Sequence, residues 1–202
     1  MARIKVPRKS TAMDMTAMCD VAFLLLTFFI LTAKLRQEDP LHVDVPPSTT
    51  VIPLPDDNVA TLSVGKGKIF FGIEGTAVRE ALLDEMGKKY NIPFTAAEKK
   101  RFSVIPTFGV PIAQLQQYIA LDEEKRKAFP QSGIPVDTTI NNELTSWIYE
   151  ARLVTKSLNN KDLRFAIKGD AREEYPAYKK VVDVLQKQAI NKFDLITSLK
   201  TK

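Results

Sequence analysis

The chain has 202 residues, with 29 Lys plus Arg against 24 Asp plus Glu for a formal charge of +5, and it is 45% hydrophobic and 26% charged. Those proportions match an ordinary globular domain and exclude a disordered polymer, a collagen-like chain and a polytopic membrane protein. A single cysteine closes no intramolecular disulfide, and a single histidine, His42, removes HExxH zinc sites, His-based metal clusters and most Ser-His-Asp or Cys-His arrangements, so no enzyme, metal or cofactor is expected.

The apolar residues are concentrated near the front. Residues 1–14 form a short tail carrying Arg3, Lys5, Arg8 and Lys9 against Asp14, and from Met15 the sequence MTAMCDVAFLLLTFFILTA holds one charge, Asp20. At 1.5 Å per residue this run spans roughly 28 Å, one crossing of a bilayer core, and a transmembrane helix is expected over 15–34. The basic tail places the N-terminus in the cytoplasm and the rest of the chain across the membrane. A cleaved secretory signal is the competing reading, but cleavage after Ala33 would put Leu31 where a small side chain is needed. Four charges without interleaved aromatics are a poor nucleic-acid footprint, and no nucleic-acid partner is expected.

Residues 35–58 read as a Pro-rich linker, with Pro40, Pro46, Pro47, Pro53 and Pro55 forbidding a helix. Within it Leu41, Val43 and Val45 alternate with His42 and Asp44, a short strand pattern whose polar face is solvated. From 59 to 202 the pattern is that of a small α+β domain. VATLSV, GKGK and IFFG read as a β-hairpin, since GKGK lacks the spacing of a phosphate loop. Thr76 to Tyr90 follows as an amphipathic helix with Val78, Leu82 and Met86 in step.

The stretch 91–161 reads as a helical insertion. Thr95 and Glu98 make a capping box, Pro111 opens a helix through Ile112, Leu115 and Ile119 down to Ala128, and a third helix runs from Asn142 to Leu158. Trp147 and the Phe residues fall on helical apolar faces and are assigned to the core. The chain closes with a β-α-β unit: the strand LRFAIKG, a helix with Pro176 in its first turn and Tyr178, Val181, Val182 and Leu185 on one face, and the strand KFDLITS.

Asp20 is the residue that needs a reason. A carboxylate at mid-membrane costs up to about 3 kcal/mol on insertion scales, which the surrounding Phe and Leu outweigh. On a helical wheel Thr16 and Thr27 share its face while Ala22, Leu25 and Phe29 point away. That narrow polar stripe is suited to face protein or a water path. Two readings remain open on the residues alone: an ion-carrying carboxylate, or a bitopic scaffold whose outer domain binds cell wall or a partner, with Asp20 an assembly contact.

The basic tail, Thr16 four residues before Asp20, the run of Asp20, Val21, Leu24 to Leu26 and Phe28, and the Val43-Asp44-Val45-Pro46 segment together resemble the ExbD/TolR family. The C-terminal IKGDAREEYPAYKKVVDVLQKQAINKFDLIT is similar to that family's end. It departs from the family in having Ala17 for the usual proline, Val45 for the usual leucine, and the 91–161 insertion. The resemblance implies a subunit of a proton-motive-force-driven inner-membrane motor. An ExbD-like homodimer would sit inside a pentameric ring of ExbB-like subunits and deliver work to a TonB-like protein. Asp20 would then carry the proton, with Thr16 and Thr27 relaying or orienting it, and sodium would find too few oxygen ligands on this helix. Leu41, Val43, Val45 and Pro46 would form a partner-binding strand.

Overall fold

The computed structural model describes residues 15–33, 41, 43–48, 57–136 and 142–199. The basic tail, His42, Pro40, Pro53 and Pro55 lie outside those residues. The chain divides into two units, 1–38 and 39–202.

In the first unit the apolar run forms helix α1, Met15–Thr32. Apart from the narrow stripe of Thr16, Asp20 and Thr27 it is apolar around its circumference, and none of its residues is buried.

The second unit is built on a five-stranded sheet. β2, Val59–Gly65, and β3, Lys68–Ile73, form the hairpin expected from the sequence, with Gly65 opposite Lys68. Lys66 (φ 53°) and Gly67 (φ 68°) both take the left-handed region, the requirement of a two-residue turn that matches strand twist. β5, Arg164–Gly169, runs parallel to β2, and β6, Asp194–Ile196, runs parallel to β5; β4, Thr107–Phe108, pairs antiparallel with β3. The strand order is therefore β4-β3-β2-β5-β6. A separate two-residue parallel pairing joins β1, Pro47–Ser48, to β7, Ser198–Leu199.

Helix boundaries follow local chemistry. α2 covers Thr76–Tyr90 and closes at Asn91 in the left-handed region, where Ile92 N–H reaches the Gly87 carbonyl at 2.9 Å. α3, Ala96–Ser103, starts with the expected capping box, Thr95 and Glu98 each bonding the other's backbone. α6 covers Glu143–Asn159, and the side chain of its N-cap, Asn142, accepts the Thr145 N–H at 2.6 Å. α7, Tyr175–Lys187, carries Pro176 in its first turn.

Three expectations are corrected. The helix expected from Pro111 to Ala128 is broken into α4, Ile112–Ala120, and α5, Glu123–Ala128, because Leu121 and Asp122 are extended (ψ 144° and 161°) and Asp122 starts the second piece. Leu41 and Val43 to Val45 are not in a strand; the pairing falls instead on Pro47–Ser48, where β7 offers a partner. KFDLITS is two strands parted by Thr197, each in a different sheet.

The core explains how the 91–161 stretch belongs to the domain. Leu62, Phe71, Phe165 and Ile167 of the sheet meet Leu82, Leu83 and Met86 of α2, and Val181 and Leu185 of α7. Trp147 of α6 is wholly buried in the same cluster, its ring centroid 4.9 Å from that of Phe108 and 6.3 Å from those of Phe71 and Phe102. An aromatic cage of this kind contributes more than its area alone. The stretch is thus mostly helical, but it also supplies the edge strand β4 and the largest buried side chain of the core.

Candidate functional site

α1 has 18 residues, about 27 Å of helix at 1.5 Å per residue, and Asp20 is its single ionisable carboxylate. Phe23, Leu24, Leu26, Phe28 and Phe29 are all more than half exposed, so this surface requires an apolar surrounding. Thr16, Asp20 and Thr27 fall within an arc of about 40° on the helix.

Thr27 Oγ1 lies 3.0 Å from the carbonyl oxygens of both Phe23 and Leu24, and Thr32 Oγ1 lies 2.7 Å from that of Phe28. The Thr27 proton is therefore committed to its own helix, which leaves oxygen lone pairs as its offer to a passing proton or water. Thr27 is also about 10 Å from Asp20 along the axis, two turns away, so the two do not touch and a bridge between them requires water. Thr16 is one turn from Asp20 and is its immediate neighbour on the stripe.

The linker is a second candidate site, and it lies against its own domain. Leu41 is buried, 7% exposed, over Gly65 at the end of β2. A Cβ on Gly65 would come within 3.1 Å of Leu41 Cδ2 and 3.7 Å of Asp170 Cβ, so the missing side chain makes the seat. The Asp44 carbonyl accepts the Ala171 N–H at 2.8 Å, and the Arg172 guanidinium stands 3.9 Å from the exposed Asp44 carboxylate. Val43, Val45 and Pro46 are half-buried.

The loop receiving the linker is held from both sides. Asp170 N–H bonds the Val64 carbonyl at 3.0 Å, and Asp170 Oδ1 accepts the Arg172 N–H at 3.0 Å. Glu173 Oε1 accepts the Gly67 N–H of the hairpin turn at 3.0 Å, while the Tyr178 hydroxyl donates to the Asp170 carbonyl at 2.7 Å. Burial, then the nearby Asp170 and Glu173, raise the Tyr178 phenol above its usual value, so it stays a hydrogen-bond donor. Gly169 leaves room for the Tyr178 ring, which an added Cβ would strike.

Sequence reasoning singled out Leu41, Val43, Val45 and Pro46; the structure seats Leu41 over Gly65 beside Asp170 and leaves Val43, Val45 and Pro46 half-buried, while the pairing with β7 falls on Pro47 and Ser48. It missed Gly65, Ala171 and Arg172. Gly65 carried a signal, a glycine ending an apolar strand, whereas the Ala171 contribution is a backbone amide with no side-chain signature.

One helix long and apolar enough to cross a membrane, carrying a lone carboxylate, followed by a mixed α/β domain, fits a single-pass membrane protein. A model of the family described as biopolymer transport protein ExbD/TolR matches residues 7–200, and the chain belongs to that family. No curated protein and no solved structure matches it.

Proposed function

We propose that the chain is the ExbD-like subunit of a proton-motive-force-driven inner-membrane motor that energises TonB-dependent outer-membrane transport, with Asp20 carrying the proton. The observation that supports this best is the lone carboxylate on a helix whose every other face is suited to lipid or to apolar protein. A carboxylate there is expensive and functional by default. Two copies of α1 within a pentameric ring of ExbB-like subunits would turn their Thr16-Asp20 stripes toward a protein-lined water path. The N-terminus is cytoplasmic and the α/β domain periplasmic, as the basic tail favours.

In such a site Asp20 takes up a proton on one side and releases it on the other, and each charge moved through 100 mV is worth about 2.3 kcal/mol. Thr16 orients the carboxyl, and Thr27 offers acceptor oxygen to the next water. Proton is preferred over sodium because the stripe offers few oxygens for a bare metal ion.

The linker would act as the partner-binding segment. Released from the Asp170–Glu173 loop, the segment carrying Leu41, Val43, Val45 and Pro46 would add to a sheet edge of a TonB-like protein.

The test is co-expression with the ExbB-like subunit of the same genome, followed by co-purification and energised uptake. Asp20→Asn keeps volume and hydrogen bonding but cannot cycle a proton. Assembly with loss of uptake supports the motor; assembly with normal uptake points to a scaffold, and failure to assemble makes Asp20 structural.

A further inference from the structure

Asp20 and Thr27 share a face of α1, but the side chains that lie between them on that face are apolar. Residues 21–26 read Val-Ala-Phe-Leu-Leu-Leu and carry no polar side chain. At about 100° per residue, Leu24 falls about 40° to one side of Asp20 and Phe23 about 60° to the other. Leu24 stands about 6 Å beyond Asp20 along the axis and about 4.5 Å short of Thr27. A helical side chain leans toward the N-terminus and covers the turn before its own Cα, so Leu24 and Phe23 lie over the level that separates the carboxylate from the Thr27 hydroxyl.

The backbone at this level is closed as well. The Phe23 and Leu24 carbonyls accept the amides four residues on, as in any α-helix, and the Thr27 hydroxyl, 3.0 Å from both oxygens, engages what acceptor capacity is left. No side chain of the band, and neither of these carbonyls, is left to hold a water. Phe23 and Leu24 are both more than half exposed on α1 itself, so the band closes against whatever protein surrounds the helix. An apolar constriction of that kind excludes water and interrupts a proton chain.

We propose that Leu24, with Phe23 beside it, is an apolar seal that divides the polar stripe into an N-terminal half, Thr16 and Asp20, and a C-terminal half that starts at Thr27. A proton then passes only when α1 moves and carries the Asp20 carboxyl across the seal. This rests on the proton-carrying reading of Asp20 and adds the residue that couples the carrier to motion. Were the stripe continuous from Thr16 to Thr27, protons would run down the potential along water while the helix stood still. The roughly 2.3 kcal/mol per charge at 100 mV would then do no work.

The test uses the full chain with its ExbB-like partner in sealed vesicles under an imposed membrane potential, without a TonB-like client, alongside energised uptake in cells. Leu24→Asn keeps a branched side chain and adds polar groups that hold water. It should co-purify with the partner as the wild type does, conduct protons several-fold faster and lower uptake. Leu24→Met conserves volume and apolarity and should behave as the wild type. Leu25→Asn sets the same amide about 100° further round the helix, off the stripe, and should leave flux at the wild-type level. Wild-type flux in Leu24→Asn, an equal rise in Leu25→Asn, or a raised flux with undiminished uptake overturns the seal. Asp20→Asn separates that failure from failure of the underlying reading. If Asp20→Asn is silent, the carrier stands and the seal alone is wrong; if it conducts like the wild type, or if the wild type and Leu24→Asn are both silent, carrier and seal fall together. Should Leu24→Asn not assemble, Leu24→Gln is measured in its place against the same outcomes.

Discussion

Leu41→Ala tests the docking of the linker through a single amide. Leu41 is buried over Gly65, and truncating a buried leucine costs about 2–5 kcal/mol, the lower end applying where the site can collapse. Leu41 lies near the start of the second unit on a segment with few regular contacts, so about 2 kcal/mol is the appropriate figure. At 1.4 kcal/mol per tenfold this lowers the ratio of docked to undocked linker by roughly 30-fold. The Ala171 N–H, bonded to the Asp44 carbonyl, reports that ratio by hydrogen exchange. The neighbouring Asp170 N–H, bonded to the Val64 carbonyl, is the control, since it lies wholly within the domain. In Leu41→Ala the protection of Ala171 should fall by about 30-fold while that of Asp170 is unchanged. Unchanged protection at Ala171 would show that Leu41 does not hold the linker, and a joint fall at both amides would show that it supports the whole domain instead.

Replacing Val43 and Val45 together by Asp should leave membrane insertion intact and abolish growth on a scarce nutrient imported through the outer membrane; wild-type growth would remove the partner role of the linker. Trp147→Ala should cost about 3–5 kcal/mol, read as a lowered denaturant midpoint by circular dichroism of the full chain, because it empties the aromatic cage. A loss below about 1 kcal/mol would make the 91–161 stretch peripheral to the core. Reporter fusions should place residue 10 in the cytoplasm and residue 60 outside it, and the reverse result would invert the assignment drawn from Arg3, Lys5, Arg8 and Lys9.

What the sequence made legible depended on where the deciding interaction lies. α2 and the α3 capping box are local affairs, set by the spacing of Val78, Leu82 and Met86 and by the Thr95–Glu98 exchange, and both stand as read. The break at Leu121 and Asp122 also had a local signal. Asp122 followed by Glu123 and Glu124 is a helix start, but the charged residues up to Ala128 prolonged the reading of the preceding helix. The linker is different. Its alternation does track burial at Leu41, yet strand pairing is decided by β7, some 150 positions later in the chain, where only Pro47 and Ser48 find a partner. A two-residue strand such as β4 leaves no periodicity to read, so the anchoring of the 91–161 stretch in the sheet and the core could only be seen in three dimensions. Asp20 was conspicuous because a carboxylate in an apolar run is chemically out of place, whereas the Ala171 amide and the seat at Gly65 carry no such mark.

The central claim is that Asp20 moves protons, and proton flux measures it most directly. The full chain and its ExbB-like partner would be placed together in sealed vesicles under an imposed membrane potential, with internal pH followed by a trapped dye. The wild-type complex should conduct protons, and Asp20→Asn, assembled to the same extent, should not. Equal flux through an assembled Asp20→Asn complex would contradict the account and leave Asp20 a contact between helices.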